Sequence, residues 1–250
     1  MLKRTLVLLS LIVGVMVCAC SSGGKATQET VTAASPQQTD PIIQAELLVF
    51  DQEYTAAIKL LSRIIEDEGP TAYALTLRGI SYAKMNLPYP AFADLVEATR
   101  IDYSVETLMN VGNAERMFGF CERAADAFRK ASALQPNDYQ ILNNLASAYL
   151  CYGKIDLGLE ALQEARKHHA NDEILLTNLA IAHSMKQNFE EARRAVEDAL
   201  RLNGSYMPAH RTLYQICVKT DDLACAQKAN AQYESLKSAR PRRTAPRKQR

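Results

Sequence analysis

Apolar residues return at three- and four-residue steps from about residue 42 onward, the spacing that places them on one face of a helix, and nowhere does the chain alternate as a strand does. The pattern also repeats on a longer scale. LNNLASAY, residues 142–149, has near-copies in LMNVGNAE from Leu108 and LLTNLAIAH from Leu175, so Asn110, Asn144 and Asn178 stand 34 residues apart. A period of that length predicts helix-turn-helix units, each able to bury its apolar face only by stacking on its neighbours. The predicted fold class is all-α, a solenoid of about six units at 38–71, 72–104, 105–138, 139–172, 173–206 and 207–240.

Composition agrees with closely packed helices. The 250 residues are 48% hydrophobic but hold no Trp and only six Phe, while Ala and other strong helix formers dominate the repeating region. A small residue on the first helix of a unit (Gly79, Gly112, Ala146, Ala180) is expected to face a small one on the second (Ala91, Ala124, Gly158, Ala192), so that backbones approach.

Unit 105–138 carries Leu108, Val111, Gly112, Ala124, Phe128, Ala131 and Pro136. The next answers with Leu142, Leu145, Ala146, Tyr149, Gly158, Leu162 and Ala165, and the one after with Leu176, Leu179, Ala180, Ala192, Val196 and Ala199. These positions resemble the signature of the tetratricopeptide repeat (TPR) family. The outer units are weaker: 38–71 keeps chiefly YTAAIKLLSRII, and Asn230 stands where an apolar residue is expected. The resemblance implies a right-handed superhelix with a concave groove.

By register with that family, the repeated amides look into the groove. Asn110, Asn144 and Asn178, helped by Asn113, Asn143 and Gln140, would form a ladder for an extended peptide backbone, since a carboxamide donates and accepts together. The other reading is that the amides hydrogen-bond within the scaffold. Further inward positions by register are Tyr73, Arg116, Met117, Ser147 and Met185, with Thr76, Leu150 and Thr177. The clamp that some TPR domains use for C-terminal carboxylates is incomplete: Asn113 and Asn144 match its amides, but Met109 stands in place of its first Lys.

The N-terminus is of another kind. Lys3 and Arg4 precede an apolar run, Leu6 to Val17, too short for a stable span, which reads as a signal peptide over 1–19. Val17-Cys18-Ala19-Cys20-Ser21 resembles a bacterial lipobox, with Cys20 as the lipidated residue. The resemblance implies a lipoprotein, and Ser21, unlike an Asp there, directs it to the outer membrane. Each CH₂ of the acyl chains would add about 0.8 kcal/mol of membrane affinity. Residues 20–37, rich in Ser, Gly, Thr and Gln, read as a flexible tether. Residues 241–250 read as a basic disordered tail, either simply solvated or touching anionic lipid, cell-wall polymer or an acidic partner. Seven basic and no acidic residues follow Glu234; without these and Lys3 and Arg4, 20 basic side chains face 28 acidic ones, a net of −8.

Four cysteines remain beyond the lipobox. Cys217 and Cys225 suit a disulfide inside the last hairpin; Cys121 with Cys151 would join adjacent units, but the two read rather as buried free thiols. Histidine and cysteine spacing suggests no metal, and no nucleophile elbow, phosphate loop or HExxH appears. The chain reads as no enzyme, without cofactor, small-molecule substrate or nucleic acid. Its length, lipobox and consecutive units are similar to TPR lipoproteins of pilus and secretion machines, above all that of the tight-adherence (Tad) pilus. That resemblance implies an outer-membrane pilotin, a chaperone binding a secretin subunit. The alternative is a periplasmic adaptor that docks envelope proteases or cell-wall hydrolases.

Overall fold

The computed structural model describes residues 40–239. The expected lipidation site Cys20, the tether and the basic tail lie outside those residues. Among the described residues twelve helices and no strand are present: α1 (Pro41–Phe50), α2 (Tyr54–Glu68), α3 (Ala72–Lys84), α4 (Pro88–Ile101), α5 (Val105–Met117), α6 (Cys121–Leu134), α7 (Tyr139–Cys151), α8 (Ile155–His168), α9 (Glu173–Met185), α10 (Phe189–Leu202), α11 (Met207–Lys219) and α12 (Leu223–Ala239). They pair into hairpins, an odd-numbered first helix followed by an even-numbered second. No helix among them is long and apolar enough to cross a membrane.

One backbone device closes every hairpin. Gln52, Asn86, Gly119, Gly153, Gln187 and Asp221, at 33- or 34-residue steps, all have positive φ between 54° and 82°. Each donates its N–H three residues back, as in Gln187 to Ser184, and the next residue donates five back, as in Asn188 to His183. That double bond satisfies the last carbonyls of the first helix. Only two of the six are glycine, so composition hides a turn that the period reveals. Starts of first helices are handled differently: Thr71, Ser104, Asp138 and Asp172 accept backbone N–H groups of the following turn with their side chains.

Within a hairpin, bulk and its absence are matched. A Cβ on Gly79 would lie 2.8 Å from Leu95 Cγ and 3.2 Å from the Ala91 carbonyl, and one on Gly112 would lie 2.7 Å from the Phe128 ring. The expected small-on-small approach is present where Gly79 faces the Ala91 carbonyl and where Gly158 faces that of Ala146, 3.4 Å from its would-be Cβ, and a large side chain fills the space beside each. Gly158 is the mirror case, with Leu150 Cδ2 at 2.8 Å from its would-be Cβ.

The hairpin of α3 and α4 departs from an apolar interior at one facing pair of positions. Arg78 on α3 donates from Nε and Nη2 to the two oxygens of Asp94 on α4, at 2.7 and 2.8 Å, and from Nη1 to Ser62 Oγ at 3.1 Å. At the equivalent places the other hairpins set Val111 against Ala127, Leu145 against Ala161 and Leu179 against Ala195.

His183 occupies the position of Tyr149 in the preceding unit. Its Nδ1 is buried without a partner. Burial pushes the imidazole below the usual histidine range; Glu191 pulls it up and Lys186 presses it down. Because the folded pKa lies below the unfolded one, stability is full above about pH 6.5 and falls as pH drops through that value, where only the unfolded chain takes up the proton. His183→Tyr should therefore lose less melting temperature than the wild type between about pH 7 and pH 5; equal losses in calorimetric scans would contradict it.

Candidate functional site

The first helices form a continuous wall. α1 packs on α3, α3 on α5, α5 on α7, α7 on α9 and α9 on α11, whereas among the described residues the second helices stand farther apart and meet through long side chains, as Arg193 of α10 does with Cys225 of α12 and Arg123 of α6 with Phe92 of α4. Side chains on the free face of α5, α7 and α9 therefore line one surface, and the gaps between second helices open on the other.

On that wall Asn110, Asn144 and Asn178 occupy the same turn of α5, α7 and α9, all half-buried. Their uses differ. Asn178 Nδ2 donates to Asn143 Oδ1 at 2.9 Å, tying α9 to α7. Lys219 Nζ does the same between α11 and α9, reaching Ser184 Oγ at 3.4 Å across the same 35-residue separation. Asn143 and Asn178 thus spend part of their capacity inside the scaffold. Asn110, Asn113 and Asn144 make no side-chain hydrogen bond among the described residues, and Gln140 reaches only the neighbouring Tyr139 hydroxyl, at 3.3 Å. Ser147 is half-buried beside them, while Tyr73, Arg116, Met117 and Met185 are exposed. Arg116 joins no ion pair among the described residues. Thr76, Leu150 and Thr177, expected to face inward, are buried instead; Leu150 packs over Gly158, and Thr177 Oγ1 donates to the Glu173 carbonyl at 2.6 Å. The wall is polar around α5 and α7 and turns apolar toward α9, where Ile174 and Met185 are exposed.

A second set of bonds links three of the second helices, α2, α6 and α8, to the end of the next first helix. Thr55 reaches Met85, Tyr152 donates to Glu122 at 2.9 Å and Lys186 pairs with Asp156 at 2.6 Å, each over 30 residues. The same juxtaposition brings Cys121 and Cys151 together in a disulfide, with Cα atoms 5.6 Å apart. The reading of these two as buried free thiols is thereby corrected: Cys121 is buried, but Cys151 ends α7 at the surface. Cys217 and Cys225 are also joined, their Cα atoms 5.8 Å apart. With Asp222 they are the one grouping among the described residues that has metal-ligand geometry. A disulfide removes both thiolates, leaving a single carboxylate, which is too few donors for a stable site.

No protein-family model matches the chain. Over 80% of it, the fold superimposes on PilF of Pseudomonas aeruginosa with a TM-score of 0.64 at 16% identity, covering 91% of that chain. MamA from Desulfovibrio magneticus RS-1 matches 68% of the chain and 97% of its own, with a TM-score of 0.56 and 21% identity. YrrB, described as a TPR protein with an unusual peptide-binding site, matches with a TM-score of 0.55 over 68% and 88% of the two chains at 19% identity. The fold is a TPR solenoid. A probable UDP-N-acetylglucosamine–peptide N-acetylglucosaminyltransferase, SPINDLY, of Hordeum vulgare is 24% identical over 119 residues. That stretch spans 47% of this chain but only 13% of the barley protein.

Proposed function

We propose that the chain is a lipid-anchored TPR scaffold that holds a secretin or another pilus component at the outer membrane during assembly. The observation that carries the reading is the shared fold with PilF, a pilus protein by its name, over 91% of that chain. The lipobox-like Ala19-Cys20-Ser21 supports the anchor, and the Tad-like arrangement of units supports the pilus or secretion setting. In this reading Asn110 and Asn113 of α5 and Asn144 of α7, which make no side-chain hydrogen bond among the described residues, grip the backbone of the client, and the exposed Met117 and Met185 adapt to its apolar side chains. Deleting the gene should leave the secretin monomeric or misplaced, as seen by fractionation and by resistance of its rings to detergent. Normal rings in the outer membrane would remove the pilotin reading and favour an adaptor for envelope proteases or hydrolases.

Asn144→Ala tests the groove most cleanly, because Asn144 has no bond within the scaffold to lose. Calorimetric affinity for a helical tail of the secretin should fall by about 1 kcal/mol, or roughly fivefold, with melting temperature unchanged. Equal affinity would rule out the ladder.

A further inference from the structure

On the far side of α5 from the amides lies a cleft of about 730 Å³, between α4 and α6. Its floor is Leu108, Val111 and Glu115, one stripe of α5 at helical spacing. Two substitutions relative to neighbouring units open it. Ala125 stands where Phe92 and Leu159 stand in the adjacent units, and Glu115 where Tyr82 and Tyr149 stand.

The floor carboxylate is incompletely used. The Glu115 side chain is 7% exposed, and its Oε1 receives Arg123 from Nε and lies 2.9 Å from Nη2. Its Oε2 accepts no hydrogen bond among the described residues. Arg123 is itself held by the rings of Phe92 and Phe120, each 5.3 Å from its guanidinium carbon. An occupant must therefore fill apolar space and bring one donor to the floor. An acyl chain brings none. A carboxylate meets Glu115 head on. A further cation enters a lining that already holds four cationic side chains against three carboxylates. A large aromatic ring with a single N–H or O–H satisfies both demands.

We propose that this outer cleft receives a tryptophan or tyrosine side chain of a protein partner, seated over Val111 and Ala125 and donating to Glu115 Oε2. The site is independent of the groove on the opposite face of α5, so the chain would contact partners on two sides.

The chain contains no Trp, so tryptophan emission in a mixture belongs to the ligand alone. Titrating N-acetyl-tryptophanamide with the full-length protein should give a blue-shifted, saturable signal at roughly millimolar affinity. N-acetyl-phenylalaninamide, lacking the donor, should compete at least threefold more weakly. Val96→Phe fills the cleft from its exposed wall without burdening the core and should weaken binding at least fivefold. Glu115→Met should abolish the preference for the indole over the phenyl ring. Absence of a blue shift, unchanged affinity in Val96→Phe, or no indole preference in the wild type would overturn the proposal. So would concentration-dependent dimerisation that Val96→Phe abolishes, since the occupant would then be a second copy. Asn144→Ala should leave this titration unaltered; failure there with intact indole binding strikes the groove alone.

Discussion

Asp94→Ala is expected to lower the stability of the solenoid by about 3–5 kcal/mol, the range for leaving one member of a buried ion pair alone. The Arg78 and Asp94 side chains are 19% and 9% exposed, so the stranded guanidinium has little access to water. Its remaining contact, to Ser62, is neutral. The companion double variant Arg78→Leu/Asp94→Ala installs the pair that α7 and α8 already use, Leu145 with Ala161. It should recover most of the loss, because apolar replacement removes the cost of desolvating both charges. Urea unfolding of the wild type, single and double variants measures both effects. A single variant within about 1 kcal/mol of wild type would show that the pair contributes little, and a double variant as weak as the single would show that this hairpin cannot accept the apolar solution.

Phe128→Ala should cost about 3–5 kcal/mol as well, toward the top of that range. The ring is fully buried, and the residue opposite it, Gly112, has no side chain to lean into the space. The cavity would therefore persist rather than collapse. Gly112→Ala attacks the same contact from the other side, at about 1–3 kcal/mol, since its Cβ falls within 2.7 Å of the ring. Combining it with Phe128→Leu recreates the Ala146 and Leu162 pair of the next unit and should cost less than the sum of its parts. Strict additivity in denaturant titrations would show that the two residues do not constrain each other.

Much of this was legible from spacing. The 34-residue period identified the hairpins and the small positions, because a residue that must meet the same neighbour in each unit recurs at the same phase. The Arg78–Asp94 pair was not read from the sequence, although a signal was there: each residue breaks the pattern in one unit, and two coincident breaks at facing positions point to a compensating contact. The period put the amides on first helices, where α5, α7 and α9 carry them, but register with a family could not tell which of them were already engaged. Asn143 is taken up by Asn178 because α7 and α9 lie side by side with an offset of one residue between the bonding positions. Thr76, Leu150 and Thr177 were misplaced for a related reason: a turn of helix holds neighbouring inward and interface positions, and stacking decides where one ends and the other begins.

The sequence by itself determined that this chain is an all-helical solenoid of TPR type, since local apolar periodicity and the repeat length leave each unit no other way to bury its face. Only the tertiary structure decided what happens between elements: the Cys121–Cys151 link, the Asn143–Asn178 bond, and the cleft that Ala125 and Glu115 open over Val111. These depend on which side chains meet across helix boundaries and on how much volume each leaves unfilled. A one-dimensional period carries the phase of a residue along its own helix, and the identity and distance of its partner on another helix are set only when the helices pack.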